Sequence, residues 1–120
     1  MDISALEEQE LNSVVFVQDY LQLDFNGPGL TLFHWPEVFV SGSTSLPEGS
    51  YAFGEPGYRD ALCSQIGERV SGATLQAGAA LEIEFETGTI FRSSLRSEDY
   101  EGPEAGHFST GAAGDPLVVF

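Results

Sequence analysis

Glu82, Glu84 and Glu86, carboxylates at alternate positions, form the most regular charged pattern in the chain. On a strand, side chains two apart share one face at about 6.6–6.8 Å. A row of like charges weakens a strand unless cations answer it, and Arg92 lies in the next apolar segment to do so. Such a row is either a solvated sheet face or a docking surface for a basic protein. The cations are the second group to read: Arg59, Arg69, Arg92 and Arg96 face nineteen carboxylates, and lysine is absent. Each arginine has carboxylates close in sequence, so four structural ion pairs would account for them. Alternatively, Arg92 and Arg96 with Arg59 line a pocket for a small anion, because an Arg fork grips carboxylate or phosphate bidentately. Tyr58 beside Arg59, and Tyr100 near Arg96, would add large rings with one polar tip to that pocket.

The remaining reactive residue types offer less. Glu104 and His107 have the Glu-x-x-His spacing of di-metal bundles, but that chemistry takes long helices presenting two copies. Here one copy sits among Gly102, Pro103 and Gly106. A loop held by its own carboxylates is the expectation, with a metal on Glu104 and His107 left open. His34, between Phe33 and Trp35, reads as a packed, hydrogen-bonded imidazole. Cys63 lies in a helical stretch beside Leu62 and reads as a buried, inert thiol; a nucleophilic thiolate wants basic neighbours. No serine has the surroundings of a nucleophile elbow, and no Gly-rich loop runs from a strand into a helix in phosphate-binding form. Without lysine there is no Schiff base and no P-loop. The expectation is a non-enzymatic protein with no cofactor and no metal.

Charge narrows the partners. The chain carries a formal −15 on 120 residues. Such a surface repels nucleic acid and anionic membranes and draws basic proteins or cations. DNA mimicry gains little from the glutamate spacing, since phosphates recur about every 3.4 Å along one strand. One cysteine permits neither an intramolecular disulfide nor a cysteine-based zinc site. Met1 is followed by Asp2, Glu7, Glu8 and Glu10, unlike the basic, apolar start of a secretory leader. No apolar run approaches the length of a membrane span. A cytoplasmic location follows as the expectation. Arginine used without lysine, together with much Gly and Ala, suggests a GC-rich bacterial genome.

The elements that must position these residues can be read from hydrophobic period. Hydrophobic residues make up 42% of the chain, nine of them Phe, enough for a packed core. Residues 1–12 are an N-terminal segment, either a short helix with a Ser4–Glu7 capping box or a mobile end. Residues 13–25 read as one long strand with Val15, Val17, Leu21, Leu23 and Phe25 on a common face. Asn26–Gly29 forms a turn, and residues 30–40 return as a second strand, with Pro36 marking a bulge, an edge or a break. Residues 41–57 form a loop. Residues 57–67 form an amphipathic helix with Tyr58, Ala61, Leu62 and Ile66 on one face. Three strands follow at 68–77, 79–86 and 89–95, the last two joined by a Thr87-Gly88 hairpin. Residues 96–108 make a polar turn or a single helical turn.

The order β-β-α-β-β-β predicts an α+β domain over 13–108: a mainly antiparallel sheet with one short amphipathic helix across a face. In it, Leu62 and Ile66 meet Leu81, Ile83 and Phe85. Residues 109–120 give a flexible link and a C-terminal edge strand or tail. Exposed strand edges and the apolar LVVF terminus allow a homodimer by strand addition or packing.

Two strings carry a resemblance. GYRDALCSQIG at 57–67 and SLRSEDYEGPEA at 94–105 resemble a family of small bacterial proteins of unknown function. That family shares a Gly-Tyr-Arg-Asp-Ala-Leu-Cys helix, an amphipathic strand pair and a Leu-Arg-x-Glu-Asp-Tyr-x-Gly-Pro-Glu-Ala turn. The likeness covers roughly residues 14–108 and brings no catalytic residues with it. In size, charge and class alone the chain is also similar to the small acidic immunity proteins of bacterial toxin systems, a likeness by analogy. Together these imply an immunity-type interaction protein that binds a basic protein. The alternative is a small-molecule (anion) binding domain, with its pocket between the sheet, the 41–57 loop and the 96–108 turn.

Overall fold

Alternating apolar residues, rather than long helical periods, dominate this chain, and strands dominate its structure. The computed structural model describes residues 3–41, 46–99 and 104–120. A 3-10 turn at Ser4–Leu6 leads into β1 (Leu11–Val17), β2 (Tyr20–Phe25), β3 (Gly29–Leu32), β4 (Glu37–Val40) and β5 (Gly49–Tyr51). One short helix follows, α1 (Tyr58–Cys63). Then come β6 (Val70–Gln76), β7 (Ala80–Phe85), β8 (Ile90–Ser94), a 3-10 turn at Ser97–Asp99, β9 (Gly106–Ser109) and β10 (Val118–Val119). The class is α+β and mainly β, with antiparallel pairing throughout the named strands.

The strands form two five-stranded sheets, ordered β1-β2-β3-β9-β10 and β5-β4-β8-β7-β6. They join at one corner. There Glu10 bridges to Arg69, and the Gly67 N–H donates to the Leu11 carbonyl at 2.7 Å. Leu21, Leu23, Leu30 and Phe108 from the first sheet meet Val38, Ile83, Phe85 and Phe91 from the second in one apolar cluster. Tyr58, Ala61 and Leu62 of α1, and Ile3 and Leu6 near the N-terminus, complete it. Burial of each large apolar side chain in such a core is worth about 1.5–3 kcal/mol.

Several elements differ from the sequence expectation, each for a local reason. The stretch 13–25 is a hairpin, because the chain reverses at Gln18-Asp19 with Val17 paired to Tyr20. Val14 and Phe16 therefore share the face of Leu23 and Leu21, while Val15 and Val17 lie on the other face. A register shift between Leu11 and Ser13 sets that parity. The stretch 30–40 is two strands in different sheets, split at Phe33–Pro36. Proline breaks the ladder there, as its missing donor requires. No capping box forms: Ile3 occupies the N-cap position, and Glu7 Oε2 instead accepts from the Ala73 N–H at 3.3 Å.

α1 ends at Cys63, short of the expected range. Leu62 is fully buried, but Ile66 lies past the helix and is 44% exposed. The helix packs chiefly on β4 and β1 rather than on the β7 face. Cys63 is exposed, not buried. Part of the 96–108 turn is strand β9, placed between β3 and β10. The C-terminus is the edge strand of the two alternatives: β10 pairs with β9, and the Phe120 N–H donates to the Gly106 carbonyl at 3.1 Å.

Candidate functional site

The segment that crosses between the sheets, Phe33–Pro36, is held at three points. The Phe33 N–H donates to the Ala105 carbonyl at 2.8 Å. Ser93 Oγ donates to the His34 carbonyl at 3.3 Å. The buried Tyr58 hydroxyl donates to the Pro36 carbonyl. Burial raises the Tyr58 phenol well above its ordinary value, so it stays protonated and remains a donor. These anchors fix Trp35 at the surface end of the core.

Two aromatic rings flank Trp35. Phe53 stacks on it at 4.6 Å between centroids and 16° between planes, and Phe16 lies near parallel at 6.4 Å and 15°. Tyr58 meets Phe53 edge to face at 5.9 Å. The turn that carries Phe53 is closed by Glu55 twice over. Glu55 Oε1 accepts from the Ala52 N–H at 2.6 Å, and the Glu55 N–H donates to the Ala52 carbonyl at 3.0 Å. Gly54, at φ 91°, supplies a backbone conformation that costs other residues energy. The turn holds Phe53 outward, 59% exposed. At the opposite end of the row the Arg59 guanidinium lies over the Phe16 ring, 5.9 Å from its centroid.

A cleft of about 380 Å³ opens beside this row, lined by His34, Trp35, Glu37, Phe53, Arg92 and Ser94. A second, of about 270 Å³, is lined by Phe16, Trp35, Phe53, Tyr58 and Arg59. Glu37 and Arg92 also belong to the outer face of the second sheet, so the first cleft and that face are continuous. On that face Phe39 of β4 stands directly opposite Ile90 of β8, and Ile90 opposite Glu84 of β7. In the next row, Arg92 stands between Glu37 and Glu82. Arg92 forms an ion pair with Glu82, while Glu37 Oε2 accepts from Ser50 Oγ at 3.0 Å.

The sequence-derived candidates separate as follows. Glu82 is half-buried and paired; Glu84 and Glu86 are exposed on the outward face. Tyr58 is a buried anchor beneath Phe53, and Arg59 lies on Phe16. Arg96 is engaged within its own turn, with Nη2 2.6 Å from Glu98 Oε1 and Nε 3.7 Å from Asp99 Oδ2. Arg92 and Arg59 line different clefts, both of which border Trp35 and Phe53. Tyr100 lies outside the described residues. His107, on β9, packs edge to face against Phe33 at 5.8 Å. The Cys63 thiol is held above the usual thiol range, first by partial loss of solvent and second by the Asp60 carboxylate. That disfavours the nucleophilic thiolate even at an exposed position.

Phe16, Trp35, Phe39, Phe53 and Ile90 were not candidates from sequence. The one local signal was Phe53 itself, a large aromatic in a Gly- and Pro-rich stretch, where a loop cannot easily bury it. Among the described residues no helix is long and apolar enough to cross a membrane. No protein-family model, curated protein or solved structure matches the chain, so its surface chemistry is the basis for a functional reading.

Proposed function

We propose that this chain is a non-enzymatic interaction protein, of the immunity type in a bacterium, that captures a basic protein on the outer face of its second sheet. The observation that carries the reading is the Phe39–Ile90 pair. Phe39 is 37% exposed on the sheet's outer face, opposite Ile90 of the central strand β8, and Glu37, Glu82 and Glu84 surround the pair. An apolar centre within a charged rim is the usual anatomy of a protein interface. With a net charge of −15 the rim steers a basic partner and repels an acidic one.

The small-anion alternative has no comparable support. Arg92 is paired with Glu82, Arg96 with Glu98 and Asp99, and Arg59 lies on Phe16. Self-pairing through strand edges is also weaker. The margins β5 and β10 are three and two residues long, the seven-residue margins β1 and β6 meet at the corner where the sheets join, and each copy would bring the same charge.

The test uses a partner captured from host extract and then purified. Its association with the wild type should slow as salt rises, and should slow further with Glu84→Lys and Glu86→Lys together. Phe39→Ala should speed dissociation. A partner that binds both variants as it binds the wild type refutes the assignment to this face.

A further inference from the structure

We infer that the cleft beside Trp35 and Phe53 is a slot for one arginine side chain of the basic partner, an inference that rests on the proposed function. Three observations converge on it. The first is the aromatic row itself. At its Phe16 end the chain's own Arg59 guanidinium already lies over a ring. At the other end Phe53 is 59% exposed. The row is thus capped by a guanidinium at one end and open at the other.

The second observation is the charge beside the open end. Glu37, Arg92 and Glu82 stand in one cross-strand row, two carboxylates about one guanidinium. Arg92 is paired with Glu82, so the carboxylate left without a cation is Glu37, which lines the cleft. Glu37 accepts one hydrogen bond from Ser50 and, as a carboxylate, has lone pairs left for a fork of donors. An incoming anion would face both that carboxylate and the field of the whole chain.

The third is shape. A planar guanidinium stacks on an aromatic face while its edge donates to a carboxylate. An ammonium is compact and more strongly hydrated, and lacks the fork. The cleft offers a ring wall and a carboxylate edge together, and so discriminates between two side chains of equal charge. Its volume, about 380 Å³, leaves ample room for one side chain entering from an open surface.

The experiment exploits the single tryptophan, Trp35, which borders this cleft and the Arg59 cleft, while Glu37 borders this cleft and not the other and so assigns the signal. The probes are a hexa-arginine and a hexa-lysine peptide, titrated separately at low salt. Hexa-arginine should bind about tenfold tighter and shift Trp35 emission saturably, while hexa-lysine should leave the emission nearly unmoved. Phe53→Ala and Glu37→Gln should each bring the arginine preference down toward unity. Both sites are surface positions outside the core cluster, so the variants should fold. Glu84→Lys with Glu86→Lys should weaken both peptides alike and preserve the preference. Equal binding of the two peptides with unmoved Trp35 emission overturns the slot and leaves the basic-partner reading standing. A preference that survives both Phe53→Ala and Glu37→Gln also overturns the slot. Failure of both peptides to bind overturns the two readings together.

Discussion

Replacing Tyr58 by Phe removes one oxygen and tests the support beneath the aromatic row. The Tyr58 hydroxyl donates to the Pro36 carbonyl, and both residues are buried. The substitution keeps the ring that meets Phe53 and leaves a buried carbonyl without its donor. A lost neutral hydrogen bond is worth about 0.5–1.5 kcal/mol, and an orphaned buried acceptor raises the cost to about 1–3 kcal/mol. An expected loss of about 1.5 kcal/mol at neutral pH lowers the melting temperature by roughly 6 °C at about 4 °C per kcal/mol.

The pH axis makes the test sharper. The phenol is held above its ordinary value of 10.0 by burial, so the folded state keeps a proton that the unfolded chain releases. This contribution is full below the unfolded value and is lost as pH rises through the window between unfolded and folded values. The slope in that window is about 1.4 kcal/mol per pH unit. Tyr58→Phe lacks the proton and the slope. The stability gap between wild type and variant should therefore shrink above pH 10 and nearly close by about pH 11. Urea denaturation followed by circular dichroism at pH 7, 10 and 11 measures it. A gap that stays constant to pH 11, or no gap at pH 7, would show that the phenol is not the buried donor described.

Two further outcomes follow from the same packing. Leu62→Ala should cost about 2–5 kcal/mol, because Leu62 is fully buried, whereas Ile66→Ala at an exposed position should stay within about 0.5 kcal/mol. Equal effects in denaturant melts would mean that α1 is not anchored as described. The melting temperature should rise between about 10 mM and about 300 mM NaCl, since screening relieves repulsion among uncompensated carboxylates. A flat or falling curve would mean that they are spread too widely to matter.

The β7–β8 hairpin was the most legible part of the chain. Leu81, Ile83 and Phe85 alternate cleanly with glutamates, and the Gly88 turn ends them with φ of 92°. The β1–β2 reversal was hidden because its two-residue turn, Gln18-Asp19, holds neither Gly nor Pro and sits within one continuous apolar rhythm. β9 was hidden for a different reason. Four residues are too few to establish a period, and its partners β3 and β10 are fixed only by the fold. The need for glycine at Gly106 is equally non-local. A Cβ there would collide with the Thr31 carbonyl and the Phe120 ring, each from a neighbouring strand segment. Helical period placed Tyr58 and Leu62 correctly, then carried Ile66 onto a face that no longer existed after Cys63. The aromatic row is the extreme case. Phe16, Trp35 and Phe53 come from a strand end, a crossover and a loop, and no window of sequence contains all three.

Two kinds of interaction meet on this surface, and they act over different distances. Carboxylates such as Glu84 and Glu86 act through solvent over a screening length of about 8 Å at physiological salt. The Phe39–Ile90 pair and the Trp35–Phe53 wall act only on contact. Three of the four arginines are already engaged, by Glu82, by Glu98 and Asp99, and by the Phe16 ring. With nineteen carboxylates against four arginines the field beyond the surface keeps one sign, and encounter with a basic partner of the kind proposed should be fast and salt-sensitive. On the proposed reading, how long a docked partner stays depends on what it buries against the rings and on whether Glu37 finds a donor. Reversal at Glu84 and Glu86 should therefore change the association rate with little change in dissociation, and truncation at Phe53 the reverse. A partner whose two rates respond together to both changes would be using a different surface.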